Sequence, residues 1–447
     1  MIRARTLSAR EVVEAHLARI EAVNHRVNAI VTLVAEAALD DARRADARAA
    51  RGDLDGPLHG LPIAHKDLQE TAGIRTTFGS PIFRDFVPDR NSPLVERLKQ
   101  AGAITIGKTN TPELGAGSQT FNPVFGATLN PYDTTKTCGG SSGGAAVALA
   151  TGMLPIADGT DMGGSLRNPA AFCGVVGMRP SAGLMLGADT SPAPSPWALL
   201  SVDGPMARNA ADVALLLGAM APKLSMGHPD LRRDFTGTRV AWLEGVADMP
   251  FERRVRSIVD ARRPLFEAIG CRVDAARADF SGADYVFRVL RAQAFVNRHG
   301  ETVRQHRSQV KSTILGEIDR GERLTAEDIR SAEGEREALR RRFARFMETY
   351  AFFVLPTTQV APFDVKEPYV RDIEGVKMSS YIDWMKSCYY ISALGYPAVS
   401  VPGGLTADGL PVGLQIVGRD GDDWGVLQLA HAFESARGPF PGPTVDY

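Results

Sequence analysis

A change of period at a single glycine limits the folds open to this chain. Residues 95–109, VERLKQAGAITIGKT, carry helical spacing as far as Gly102 and then switch to a β-branched run, Ile104 to Ile106. The neighbouring segments repeat the alternation. Ser8 and Glu11 form a capping box ahead of Val13, Leu17 and Ile20, so residues 8 to about 50 are expected to be mostly helix. HGLPIAHKDL (59–68) then reads as a short strand entered through Gly60 and Pro62. Helix and strand in alternation predict an α/β fold, with a mixed, mostly parallel twisted sheet covered by helices on both faces.

Downstream of about residue 205 the chain becomes helical and rich in arginine. Thr325-Ala-Glu-Asp328 marks a helix start, and Leu339, Phe343, Phe346 and Tyr350 form its apolar stripe. Sheet returns in FFVLP (352–356), AVSV (398–401) and VGLQIVG (412–418), the last two joined as a hairpin through Asp408-Gly409. No repeat, low-complexity tract or linker interrupts the 447 residues, so one domain spanning 1–447 is expected.

Basic and acidic residues nearly cancel, 51 against 52, and no global field favours nucleic acid or an anionic membrane. A small neutral substrate fits better. The N-terminus lacks the apolar run of a signal peptide, and no stretch reaches the roughly 18 apolar residues of a membrane span. Cys138, Cys173, Cys271 and Cys388 lie far apart without CxxC spacing, which suits buried thiols in a reducing compartment. The expected location is the cytoplasm.

Several motifs compete for the chemistry. Gly102 to Thr109 matches GxxxxGK[ST], but a phosphate loop needs a strand before it and a helix after it, and here that order is reversed. Gly139-Gly-Ser141-Ser-Gly143 matches a nucleophile elbow, which then requires a histidine. The downstream choices, His228, His299, His306 and His431, read as surface or packing residues. Ser308 and Lys311 fit SxxK, yet the partner motif precedes rather than follows them.

A serine served by a lysine from elsewhere remains. Only nine of the 51 basic residues are lysines, and Lys66 ends a strand-like run where α/β proteins place their sites. Desolvation can lower such an amine until it accepts a proton. An ion pair with Asp67 accounts for Lys66 equally well at this level. His65 is the rival base, but on a strand it points opposite to Lys66. Between residues 139 and 177 there are ten glycines in 39 positions, so backbone amides can approach a ligand closely. Asp161-Met-Gly-Gly-Ser165 could turn successive N–H groups toward one oxyanion, or simply cap a helix.

Six segments in order, HKD around Lys66, GKTN (107–110), GGSSGG (139–144), TDMGGSLRNPAAFCGVVGMRPS (160–181), GPMAR (204–208) and GYPAVSVPGGLTADGLPVGLQIVGR (395–419), resemble the amidase signature family. The resemblance runs from about Ser8 to the C-terminus. It divides the domain into a signature core at about 60–210, a helical variable region at about 210–350 and a C-terminal sheet part at about 351–447. It implies amide hydrolysis through an acyl-enzyme by a Ser-cisSer-Lys triad: Ser165 as nucleophile, Ser141 after a cis peptide as bridge, Lys66 as base. The N–H groups of Met162, Gly163 and Gly164 would form the oxyanion hole, with Ser142, Asp161 and Arg167 in support. Such chemistry calls for a small-molecule amide and for no metal, cofactor, nucleic acid or membrane. The oligomeric state stays open, with a homodimer as the working expectation.

Relatives that serve as glutaminase subunits of amidotransferase complexes carry an acidic residue shortly before the G-[LY]-P-A segment. A gapless count puts Met385 there, in the apolar stretch 381–385, which favours an apolar or aromatic substrate over glutamine. Segments 185–200 and 380–392 are expected to shape the pocket.

Overall fold

A computed structural model of the chain describes residues 1–185, 199–221 and 230–444. Helices α1 (Ala9–Val27) and α2 (Ala35–Ala50) flank strand β1 (Ile30–Leu33), and β2 (Pro62–Lys66), α3 (Pro93–Gln100) and β3 (Ile104–Thr109) follow. After a small hairpin, β4 (Phe121–Asn122) and β5 (Gly126–Ala127), the glycine-dense stretch forms α4 (Gly143–Ala150), β6 (Ile156–Asp161), α5 (Arg167–Cys173) and β7 (Val176–Arg179). Next come β8 (Val202–Ala207), α6 (Ala210–Met220), β9 (Arg239–Leu243), α7 (Arg253–Asp260), α8 (Arg263–Ala268) and β10 (Arg272–Ala276). Three helices, α9 (Ala283–Gln305), α10 (Ser312–Glu322) and α11 (Ala326–Thr349), lead to β11 (Phe352–Pro356) and the short pair β12 (Asp372–Ile373) and β13 (Val376–Lys377). The chain ends with α12 (Lys386–Leu394), the hairpin β14 (Ala398–Leu405) and β15 (Pro411–Val417), and α13 (Asp423–Arg437).

Eleven strands form one mixed sheet in the order β1-β3-β2-β6-β8-β7-β14-β15-β11-β9-β10. Its parallel pairs lie in two runs, β3-β2-β6 and β11-β9-β10, and antiparallel strands join them. Strand alternation assigns the two faces. Phe352 and Val354 of β11 pack on the side of α6 and α13, while Phe353 and Leu355 pack against α9 and α11. All five residues of that strand are buried, as covering on both faces demands. Among the described residues no helix is long and apolar enough to cross a membrane.

Local signals account for most boundaries. Ser8 and Glu11 close a capping box on α1, and Thr325 and Asp328 close another on α11. Gly102 ends α3 at φ +91°, where a Cβ would sit 2.7 Å from the His59 backbone. One boundary differs from expectation. Residues 8 to 50 are not continuous helix, because Asn28 adopts a left-handed conformation at the end of α1 and Asn24 Oδ1 accepts from the N–H groups of Ala29 and Ile30. The β-branched run that follows becomes the edge strand β1, antiparallel to β3.

Candidate active site

Two parallel strands end side by side and set the geometry. β2 delivers Lys66 and β6 delivers Thr160 and Asp161, so the polar side chains cluster at the carboxyl ends of the strands. Lys66 shares a face with Ala64, which packs toward α4, and His65 takes the other face. His65 there pairs its Nδ1 with Asp158 Oδ2 at 2.5 Å and its Nε2 with Thr105 Oγ1 at 3.1 Å.

The Lys66 amine is fully buried and surrounded by hydroxyls. Its Nζ lies 2.7 Å from Ser141 Oγ, 2.9 Å from Ser142 Oγ and 2.9 Å from Thr160 Oγ1. It makes no ion pair with any described residue. Asp67 is committed elsewhere, accepting from the hydroxyl of Thr77 at 2.5 Å and from its N–H at 3.2 Å. Burial lowers the Lys66 pKa to about 7, against the opposing pull of Asp161 and Asp158. A large share of the amine is therefore neutral near pH 7.

Ser141 follows a cis peptide bond from Gly140, in the loop that starts α4. Neighbouring backbone holds this loop closely. A Cβ on Gly140 would lie 2.8 Å from the Gln119 backbone, and Thr120 Oγ1 donates to the Gly139 carbonyl at 2.9 Å while accepting from the Gly143 N–H at 3.1 Å. Ser142 ties the loop to the second serine segment, its N–H donating to the Ser165 carbonyl at 3.2 Å. The Ser165 hydroxyl makes no hydrogen bond to a described residue, and Ser165 lines a cavity of about 350 Å³ together with Ser141, Thr160 and Met162.

Asp161 organises the turn that carries Ser165. Its carboxylate accepts from Arg167 Nε at 3.0 Å and Nη2 at 2.9 Å, from Arg179 Nη1 at 3.2 Å, and from the N–H groups of Gly164 at 3.0 Å and Leu166 at 3.1 Å. Burial alone would raise this carboxyl, but Arg167 and then Arg179 hold it well below the usual carboxylate range. Of the three N–H groups expected to face an oxyanion, that of Gly164 is thus engaged, which leaves Met162 and Gly163. The turn is pressed from behind: a Cβ on Gly163 would lie 3.0 Å from Phe287, and one on Gly164 would lie 2.6 Å from the Cβ of Cys388. Phe287 stacks on Tyr389 at 4.4 Å, and the Tyr389 hydroxyl donates to Asp284 at 2.6 Å.

The structure therefore brings Ser141 and Ser165 to one cavity, with Lys66 and Ser142 buried against Ser141 and with Asp161 and Arg167 holding the turn that carries Ser165. Thr160, Arg179 and Thr120 join them unannounced. The first two sit inside the TDMGGS and GMRPS segments, whereas Thr120 has no local signal. The cavity wall also departs from expectation. None of residues 380–392 lines it; Ser380 and Tyr381 border a separate cavity, and the α9 segment from Ala294 to His299 takes the wall instead. The reason is packing, because Cys388 and Tyr389 of α12 lie against the glycine turn with Phe287, while the later turns of α9 reach the cavity. Most of segment 185–200 lies outside the described residues, as does His228. His431 lies in a distant groove with Glu434, and His306 caps α9. Gly102 to Thr109 has no loop, since Ile104–Thr109 is strand β3. Lys311 donates to the Ala116 carbonyl rather than to Ser308. Among the described residues no group of three or more His, Cys, Asp or Glu side chains is placed to hold a metal ion.

Comparisons with known proteins converge on one family. A family model described as Amidase matches residues 11–239 and 271–427. An acylamidase from Rhodococcus erythropolis is 33% identical over 445 residues, covering 96% of this chain and 92% of that protein. A glutamyl-tRNA(Gln) amidotransferase subunit from Carboxydothermus hydrogenoformans is also 33% identical, over 97% of this chain and 95% of its own length. The crystal structure of an amidase superposes with a TM-score of 0.88 at 28% identity, over 97% of each chain.

Proposed function

The chain belongs to the amidase signature family of amide C–N hydrolases, and on that premise we propose that it cleaves a small carboxamide through an acyl-enzyme on Ser165. The observation that carries the proposal is the 2.7 Å contact between the Ser141 hydroxyl and a buried Lys66 amine that no described carboxylate pairs. Neutral Lys66 takes a proton from Ser141, and Ser141 takes one from Ser165 as its oxygen attacks the carbonyl carbon. The N–H groups of Met162 and Gly163 receive the developing oxyanion. When the tetrahedral intermediate collapses, the C–N bond breaks and the leaving nitrogen collects the proton returned by Lys66 through Ser141. A water molecule, deprotonated by the same relay, then attacks the ester and releases the carboxylate. Asp161, clamped between Arg167 and Arg179, fixes the turn on which Ser165 sits.

The test is amine or ammonia release from a panel of amides, combined with mass detection of an acylated Ser165. Wild-type turnover that survives Ser165→Ala unchanged rejects the proposal.

A second reading, the glutaminase-type subunit of an amidotransferase complex, is favoured by the resemblance to glutamyl-tRNA(Gln) amidotransferase subunits. Two observations weigh against it. Met385 occupies the position counted for an acidic residue, buried with its Sδ 2.9 Å from Asn168 Nδ2, and the described cavity lining contains no aspartate or glutamate to meet an ammonium group. Robust hydrolysis by the isolated chain is expected; activity that appears only with partner chains sinks the first reading and supports the second. A cytoplasmic location belongs to the same proposal, supported by four free, buried cysteines. So does the homodimer, which size-exclusion chromatography would check.

A further inference from the structure

The cavity that holds Ser141 and Ser165 carries a charge asymmetry that amide cleavage does not require. Its described lining has no carboxylate but includes Arg298, an exposed residue in the C-terminal half of α9. The other three arginines of that helix are committed. Arg288 pairs with Asp284 and Asp383, Arg291 with Glu317, and Arg304 with Glu322. Arg298 makes no hydrogen bond or ion pair with any described residue. Asp203, the carboxylate whose charge it feels, accepts from Gln69 Nε2 at 2.8 Å, and burial pushes its pKa up. Next to Arg298, His299 adds no second positive charge, since burial first and Arg298 second lower it to about 4.

Leu68, Leu114, Met162 and Phe295 give the cavity apolar wall, interrupted by the uncharged polar side chains of Ser201 and Asn297. A planar guanidinium whose donors no described residue takes, on the wall of such a cavity, matches a carboxylate in both charge and hydrogen-bond geometry. We propose that Arg298 determines specificity by receiving a carboxylate, so that the substrate is an amide with an apolar body and an anionic end. This rests on the amide-hydrolase reading given above and names the substrate class for the same site. Arg298 is placed to bind the substrate rather than the reacting atoms.

The test compares matched substrate pairs, one member of each anionic. Succinamate against butyramide puts the carboxylate on the acyl side; 4-acetamidobenzoate against acetanilide puts it on the amine side. In the wild type at least one anionic member should have the higher kcat/KM, and rising salt should shrink that preference. In Arg298→Gln the ratio of anionic to neutral kcat/KM should fall about 10- to 100-fold, the loss expected for a hydrogen bond to a charged group. Arg298→Lys should retain part of it. A ratio unmoved by Arg298→Gln, or a wild type that prefers the neutral member of both pairs, overturns the inference alone. If the wild type turns over neither pair and no amide labels Ser165, the hydrolase reading fails and takes this inference with it.

Discussion

Two buried lysines stand on neighbouring parallel strands, and their surroundings assign them different work. Lys66 ends β2; Lys108 lies on β3, where the ladder pairs it with His65 and pairs Lys66 with Thr109. Paired residues share a face, so Lys108 points with His65, away from the cavity. Burial lowers both amines, Lys66 to about 7 and Lys108 to about 8. Lys66 meets three hydroxyls, two of them on the serine loop. Lys108 donates to the Gln69 carbonyl and to the hydroxyls of Thr71 and Thr76 at 3.0 Å each. A peptide carbonyl can only accept, so the Lys108 site rewards the protonated amine and staples the loop after β2. A perturbed pKa alone therefore does not identify a base; what the nitrogen touches does.

Removing the two amines is the most direct way to break this comparison. Lys66→Ala should cost at least about 10³-fold in kcat with the fold retained, the scale seen when one member of a catalytic triad is lost. Lys108→Met should leave kcat within about tenfold. Comparable losses in steady-state assays of the two variants would show that burial, not contact with Ser141, is what matters.

The pH profile sharpens the same contrast with a smaller effect. The proposed base, Lys66, can act only when deprotonated, so kcat/KM should fall about tenfold per pH unit below pH 7 and level off above it. Lys108→Met should keep that midpoint, and a midpoint displaced by this substitution would place Lys108 in the relay. Its cost belongs to stability instead. Losing the bonds from the buried ammonium to the Gln69 carbonyl and two threonine hydroxyls, which keep the Thr71–Gln69 and Thr76–Ile74 bonds, should remove about 1.5–3 kcal/mol, read as a lower urea midpoint.

What the sequence disclosed about this site follows a physical divide. Lys66, Ser141, Ser165, Asp161 and Arg167 sit in segments whose local chemistry already limits them: a lysine at a strand end, serines framed by glycines, an acid six residues before an arginine. Thr160 and Arg179 become partners only when β6 lies between β2 and β8 and β7 returns beside β8, pairings distant in sequence. The wall residues from Ala294 to Arg298 were less legible still. Periodicity shows which stripe of α9 is apolar, yet where that helix lands over the sheet depends on packing against α10, α11 and α12. The same packing moved residues 380–392 from the cavity wall to the back of the Gly163 turn. β1 was hidden by its helical neighbours, although Asn28 and the run Ile30 to Leu33 carried its signal.

His299 extends the comparison to a third nitrogen base and gives the smallest expected effect. It lines the cavity that holds Ser141 and Ser165, so among the described histidines it is the one a serine–histidine mechanism on the Gly139–Gly143 elbow would use. Its ring meets Phe295 edge-on at 5.8 Å, and no described serine bonds to it. With its pKa lowered to about 4 by burial and by Arg298, the imidazole is neutral near pH 7 but a poor proton acceptor. Like Lys108, it lacks the contact with Ser141 that couples a nitrogen to the proposed nucleophile. His299→Gln should therefore change kcat less than about threefold, whereas loss of a general-base histidine typically costs orders of magnitude. A drop of about 10³-fold in that variant, with Lys66→Ala still active, would transfer the base from the lysine to the histidine and undo the assignment of Ser141 as the bridge.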